Sequence, residues 1–276
     1  MKYLCFRFDV DTHKCLRDGV PNLLQLAQYH KVKFTFFLNV GQAVDRLHFI
    51  QNTLKKKQET DVKSLSPLTK LGIKDYVFLS FINPLIGEGC AENIKKISKS
   101  GHEIGLHGGR NHQSWSMDAQ NWPSRKIEHE LKWGIGVLMK IDNKKPIGFA
   151  SPGWNGSVKI NRILHKLGFR YVSDVHSDQA LEKITFSEGI IQIPTNIAGE
   201  PGGVGYLEYC RAIRMNDSQI LEDFKKKLTE RKRLAVIYDH PFYSGVRELN
   251  LLGEMIKLAK DMNIRIVTME EILNKK

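Results

Sequence analysis

The sequence predicts an α/β protein, a parallel sheet covered by helices. Three observations predict it. Short apolar runs alternate with helical patterns from one end of the chain to the other; no internal repeat or low-complexity linker divides it; and 276 residues, 41% of them hydrophobic, suffice for one sizeable core. This rhythm leaves two arrangements open, a doubly wound sheet and a closed barrel.

Strands are expected over Tyr3–Phe8, Lys33–Leu38, Glu103–Leu106, Ile147–Phe149, Tyr171–Ser173, Ile190–Ile193, Leu234–Tyr238 and Arg265–Val267. Helical periodicity fills Val20–His30, Ala91–Ser100, Arg125–Ile141, Lys159–Leu167, Ser218–Arg231 and Glu248–Met262. Pro21 and the run Asn216-Asp217-Ser218 are helix-start signals. One domain over residues 1–276 is expected. Two segments break the rhythm. Val44–Gly89 is about twice too long for a crossover and joins Lys55-Lys56-Lys57 to the apolar YVFLSFINPLIG, so it reads as a helical insertion over the strand ends. Thr195–Tyr209 is glycine-rich and reads as a mobile loop, without the spacing of a nucleotide-binding turn.

The 42 Lys and Arg against 30 Asp and Glu leave +12, a basic balance suited to phosphates or anionic lipid. Because Lys and Arg are not gathered with aromatics in a recognisable module, nucleic-acid binding is not expected. The start MKYLCFRFDVD has no charged-then-apolar leader, no run of eighteen apolar residues occurs, and Cys5, Cys15, Cys90 and Cys210 form no CxxC pair. The expectation is a cytoplasmic protein with reduced thiols.

Three clusters carry chemistry. At the end of the first strand, Arg7, Asp9 and Asp11 share one face while Phe6, Phe8 and Val10 share the other. Two carboxylates so close are costly unless a cation or proton divides their roles. In GHEIGLHGGRNH, His107 and His112 lie just beyond a short strand in a glycine-containing loop that can swing both onto one ion; His102, at the strand's start, reads as structural. Finally, VIYDHP brings His240 to the end of a late apolar strand, where an imidazole can supply a general acid.

In order along nearly the whole chain, FDVDT, GHEIGLHGGRNH, SPGWNG, YVSD and IYDH resemble the motifs of the polysaccharide deacetylase family, carbohydrate esterases with a NodB homology domain. The resemblance implies a distorted (β/α) barrel with a helical insertion after the second strand. It implies Asp9 as catalytic base, Asp11, His107 and His112 as ligands of one divalent ion, and His240 as catalytic acid. Zinc is the first expectation for that ion, with cobalt, nickel or manganese as alternatives. Pro152, Trp154 and Asp174 are implicated as substrate-binding or supporting residues, Trp154 as a wall for the sugar or acyl group and Asp174 as a carboxylate holding His240 charged.

More narrowly, RFDVDT, DGVPNLL, the long insertion, GLH, GW and RYVSD are similar to the 4-deoxy-4-formamido-L-arabinose-phosphoundecaprenol deformylases. That likeness implies hydrolysis of an N-acyl amino sugar, formyl or acetyl, on a polyprenyl-phosphate carrier, with the enzyme peripheral on an anionic membrane face. The sequence departs from the family pattern twice. The metal histidines are usually four residues apart, but Asn111 holds that position and His112 follows; and Ala150 stands where an arginine normally steadies the catalytic Asp, leaving Arg7 as the substitute and Arg110 behind it. The rival readings are a deacetylase of a soluble or polymeric N-acetyl sugar, a cyclic-amide hydrolase, and an inactive carbohydrate- or lipid-binding relative.

Overall fold

In this computed structural model the described residues are 1–45, 72–176, 184–185, 189–199 and 204–274, with backbone alone for Tyr76, Leu79, Ser80, Ile184 and Thr185. Among them nine strands form one sheet: β1 Tyr3–Val10, β2 Thr35–Leu38, β3 Glu103–His107, β4 Gly148–Ala150, β5 Tyr171–Val172, β6 Ile184–Thr185, β7 Ile191–Gln192, β8 Leu234–Asp239 and β9 Arg265–Ile266. The order is β6-β7-β5-β4-β3-β2-β1-β8, with β9 also against β1. Every pairing is parallel except β6 with β7. Beyond β7 the chain bridges the two margins, Thr195 to His176 and Ile197 to Ile237, which curls the sheet into a barrel. The Ile197 amide donates to Val236 O and its carbonyl accepts from Tyr238 N, both at 3.0 Å. Of the two arrangements open from the rhythm, the barrel is the one formed.

This closing segment corrects an expectation. Thr195–Tyr209 was predicted to be a mobile loop, yet residues 195–199 are buried and Tyr206–Ala212 is helical. The glycines hide Ile197, Ala198, Val204, Tyr206 and Leu207, all of which enter the interior. Residues 200–203 lie outside the described ones.

The eight expected strands are all present, to within a few residues at each end. β6 was not anticipated. The six expected helices are α1 Val20–His30, α4 Ala91–Lys99, α6 Ser124–Asp142, α7 Val158–Lys166, α9 Asp217–Glu230 and α11 Leu249–Asp261. Pro21 sits in the first turn of α1, and Asn216 closes a capping box with Gln219 at the start of α9. In the insertion, α2 Ile73–Phe81 and α3 Ile86–Gly89 are helical, and the amides of Ile86 and Gly87 bond to Gly41 O and Val40 O just past β2, each at 3.1 Å. Lys55, Lys56 and Lys57 lie outside the described residues. Three short helices next to the strand ends complete the upper face: α5 His112–Asp118, α8 Tyr206–Ala212 and α10 Pro241–Arg247.

β1 explains the two-sided core. Phe6, Phe8 and Val10 point outward into the layer of helices with Phe34, Phe36 and Leu23. Burying each phenylalanine there stabilises the fold by roughly 2–3 kcal/mol. Cys5 points inward with Phe37, Tyr171, Val236 and Ile193. The floor of the barrel is closed by α12 Met269–Ile272, whose Met269 and Ile272 join that inner cluster. Glu103 ties this floor together, accepting from Tyr171 Oη at 2.5 Å, Thr35 Oγ1 at 2.7 Å and the Glu270 amide at 2.8 Å. His102 is structural as expected, its Nδ1 accepting from the Phe34 amide at 3.0 Å, and burial pushes its pKa down to about 4.

Candidate active site

The open upper end of the barrel gathers the chemistry-bearing residues at the carboxyl ends of the parallel strands, where βα loops build sites. β1 turns Arg7 and Asp9 into the lumen, and Asp11 follows one residue past its end. β3 ends on His107. Gly108 then takes φ 83°, a conformation open to glycine, and a side chain there would meet Pro152 Cγ at 2.8 Å. Pro152 thus backs the turn that carries the loop toward His112. Asn111 is the N-cap of α5, its Oδ1 accepting from Ser114 N at 2.9 Å, so the ligand-like residue is the first of the helix, His112.

Asp11 Oδ1, His107 Nε2 and His112 Nε2 form a triangle whose three sides are each 3.3 Å. A tetrahedral ion with bonds of about 2.0–2.1 Å has ligand atoms roughly 3.3–3.4 Å apart, so the donors fit three corners of one coordination sphere. Asp11 Oδ1 is buried with no hydrogen-bond partner, as an atom reserved for a cation would be. His107 Nδ1 lies 2.8 Å from Ala150 O, which makes it the protonated nitrogen and turns Nε2 inward. Among the described residues these three are the one group of acid, thiol and imidazole ligands close enough to share an ion.

Asp9 stands beside them. Its oxygens accept from Arg7 Nε at 2.9 Å and Nη2 at 2.7 Å, and its Oδ2 is 3.7 Å from His107 Nε2. The Arg7 guanidinium is fully buried and also bonds Ser173 O at 2.6 Å and Thr195 Oγ1 at 3.0 Å. It lies under the Trp154 ring at 4.3 Å, with Phe37 and Tyr238 at 5.2 and 5.1 Å. Arg7 therefore pairs with Asp9. Arg110 does not; it reaches Glu130 and stacks on Trp133.

His240, at the end of β8, points Nε2 to Asp11 Oδ2 at 3.2 Å and to Tyr238 Oη at 3.0 Å. Burial opposes charge on His240 most strongly of any single cause, but Asp11, with Glu208 and Asp9 behind it, outweighs burial in sum and the pKa is raised. Burial likewise pushes Asp11 up, yet the facing imidazoles of His112, His240 and His107 hold it well below the usual carboxylate range. A proton and a cation thus compete for the same donors.

Asp174 departs from expectation. Its oxygens accept from Ser151 N at 2.6 Å and Ser151 Oγ at 2.9 Å, and burial raises its pKa. It braces the loop after β4 instead of contacting His240. Trp154 lines the cavity of about 140 Å³ above Asp9 and Asp11. Its φ of 58° is rare for an aromatic residue and marks a strained, over-determined position. Tyr238, Ser173 and Thr195 were not singled out from the sequence. Period-two alternation from Val236 to His240 places Tyr238 on the His240 face and was the available signal; nothing local marks the other two.

Residues 2–172 match the family model for polysaccharide deacetylase. The chain belongs to the polysaccharide deacetylase family. Within it, the chain is 28% identical over 276 residues to a Shewanella sediminis protein assigned as a 4-deoxy-4-formamido-L-arabinose-phosphoundecaprenol deformylase, covering 97% of this chain and 85% of that one. A protein of the same assignment from Wigglesworthia glossinidia brevipalpis is 27% identical over 262 residues, covering 93% and 88%. Among solved structures, one from Mycobacterium smegmatis described as a polysaccharide deacetylase superposes with a TM-score of 0.66 at 19% identity, over 98% of this chain and 88% of that one. That last likeness bears on the fold: the family barrel with its strands curled as described above.

Proposed function

We propose that this polysaccharide deacetylase family member is a metal-dependent hydrolase that removes an N-formyl or N-acetyl group from an amino sugar, one carried on a polyprenyl phosphate. The observation that carries the reading is the 3.3 Å triangle of Asp11, His107 and His112, flanked by an Arg7-held carboxylate and an imidazole. Asp11, His107 and His112 hold the divalent ion, zinc first by its preference for such donors. When bound, that ion polarises the acyl carbonyl and acidifies water.

The protein's own groups then divide the proton work. Asp9, kept in place by two Arg7 bonds, takes the proton of the attacking water. His240 Nε2 gives a proton to the departing sugar nitrogen as the C–N bond breaks. General acid–base help of this kind contributes on the order of 10²–10⁴-fold. Trp154 shields the Arg7–Asp9 pair and walls the small cavity, which suits a short acyl group while the sugar remains in the open mouth.

The lipid-linked assignment is supported by the two relatives' own designations and by α2. Ile73, Val77 and Phe81 lie four apart on that helix, and with Ile82 they are 72%, 46%, 76% and 56% exposed. Such an apolar stripe on a chain of net charge +12 suits a peripheral position on an anionic bilayer. No helix among the described residues is long and apolar enough to cross a membrane. The decisive experiment incubates zinc-loaded protein with formylated and acetylated lipid-linked amino sugars and follows released formate and acetate. Absence of both acids would defeat the reading.

A further inference from the structure

We propose that Asn83 is a positioning residue for the metal ligand His112, clamping the segment that holds the first turn of α5 at the site. The inference rests on the reading of His112 as a ligand, and its test separates the two.

Asn83 is 1% exposed and takes φ 38°, two residues past the end of α2. Asparagine tolerates that left-handed region better than most residues, yet such a conformation persists only where its surroundings fix it. Here the side chain is fixed by the backbone of Ala43 and Val44. Asn83 Oδ1 accepts from the amide of Ala43 at 3.2 Å and from that of Val44 at 3.3 Å, and its Nδ2 donates to Val44 O at 2.6 Å. Its own carbonyl accepts from Gln42 Nε2 at 3.0 Å. Removing the side chain takes the acceptor from both amides and frees this segment to shift.

Residues 42–45 in turn grip every residue from Arg110 to Ser114. Gln42 N donates to Arg110 O at 2.8 Å, and Gln42 O accepts from the His112 amide at 2.9 Å. Val44 O accepts from Asn111 Nδ2 at 2.9 Å. The Asp45 amide donates to Gln113 Oε1 and its Oδ2 accepts from Ser114 Oγ, both at 2.8 Å.

His112 depends on this support more than His107 does. The His107 ring is oriented by the contact of its own Nδ1 with Ala150 O. Among the described residues, the polar contacts of the His112 ring go to His107 and Asp11, the other two corners of the triangle. Its place is therefore set by the backbone of α5, and that backbone by residues 42–45. Asn83 touches neither ion nor substrate and acts only through this route. Groups that orient ligands typically change metal affinity by about 10–100-fold when removed. A plain anchor for α2 would lower stability and leave that affinity alone.

The test titrates the metal-free chain with zinc against a chromophoric chelator and follows thermal melts of the same samples. Asn83→Gly removes the side-chain bonds while accepting the left-handed backbone, and is expected to weaken zinc affinity by roughly 10–100-fold. Cobalt bound to that variant should show weaker visible bands than in wild type, because a displaced imidazole distorts a tetrahedral site. Gln113→Ala combined with Ser114→Ala cuts the same route at its far end. It should weaken zinc as well, and it carries the test if the glycine variant does not fold. Asn216→Ala, which removes the cap of α9 outside this route, should lose stability and keep zinc affinity within about twofold. Wild-type zinc affinity in Asn83→Gly, with only its melting temperature lowered, would make Asn83 a plain anchor and overturn the role. Wild-type affinity in the combined Gln113→Ala, Ser114→Ala variant would overturn it too, because the support of His112 would then run elsewhere. If His112→Ala keeps wild-type zinc affinity, the ligand assignment falls and the role of Asn83 with it. If His112→Ala loses zinc while Asn83→Gly keeps it, the ligand reading stands and the Asn83 role alone fails.

Discussion

Asn111 caps the helix that begins at His112. Its Oδ1 takes the Ser114 amide at 2.9 Å, and its Nδ2 donates to Val44 O at 2.9 Å, so the side chain is committed before any ion arrives. A donor one residue beyond the usual spacing reaches the site because the cap starts α5 there. The protein is accordingly expected to bind about one divalent ion per chain. Asn111→Ala should keep the metal and lose about 0.5–2 kcal/mol of stability, the usual cost of an N-cap. His112→Ala and His107→Ala should lose the metal. Metal analysis beside thermal melts separates these outcomes; an ion retained in His112→Ala but lost in Asn111→Ala would reverse the assignment.

Arg7 and Asp9 form a bidentate, buried pair, and its two halves fail differently. Asp9→Asn should retain fold and metal while losing most turnover, since that change removes proton acceptance. Arg7→Ala leaves a buried carboxylate without its partner, a class of change that costs roughly 3–5 kcal/mol. Arg7→Lys keeps the charge but not the fork, and should lose turnover with the metal retained. Chemical denaturation and single-turnover rates distinguish the cases. Arg7→Lys with wild-type kcat would show that the fork is not needed to hold Asp9.

Much of this arrangement was legible in the residues themselves. Parallel strands buried on both faces read as apolar runs, which is why LAVIYD and YLCFRFDV declared β8 and β1, and why the polar residues inside β1 stood out. Tertiary contacts, in contrast, leave little local trace. α5, α8 and α10 are each seven residues long, too short for a periodic pattern, and Pro241 and the glycines before α8 read as loop. The partner of Asp174 is the chemistry-poor Ser151.

Glu103 gives the barrel floor a pH dependence. Burial pushes its carboxyl up to about 7 from an ordinary 4.5, although the bonds from Tyr171, Glu270 and Thr35 pull the other way. With the folded pKa above the unfolded one, the native state holds the extra proton between those values. The contribution is therefore favourable below about pH 4.5, declines as pH rises toward 7, and is constant above it. Its ceiling is roughly 3 kcal/mol from that difference in pKa. Glu103→Gln should flatten the stability profile across this window, measured by urea unfolding at several pH values. A slope unchanged in the variant would assign the pH dependence to other groups.

The α2 stripe makes the membrane reading testable without reference to turnover. Ile73, Val77 and Phe81 project from one side of the helix, and apolar side chains entering the headgroup boundary combine with basic residues worth roughly 1 kcal/mol each near an anionic surface. Co-sedimentation with vesicles should therefore rise with anionic lipid content and fall with salt. Val77→Glu with Phe81→Glu removes apolar area and adds two negative charges, so it should weaken binding by at least tenfold. Both positions are exposed, which leaves stability within about 0.5 kcal/mol of wild type and activity on a short-chain, water-soluble substrate intact. Lys55, Lys56 and Lys57 changed to Glu should weaken binding in parallel if the insertion acts as one surface. Equal sedimentation with neutral and anionic vesicles, together with full activity on the soluble substrate, would instead favour a deacetylase of soluble or polymeric sugars using the same Asp/His/His site.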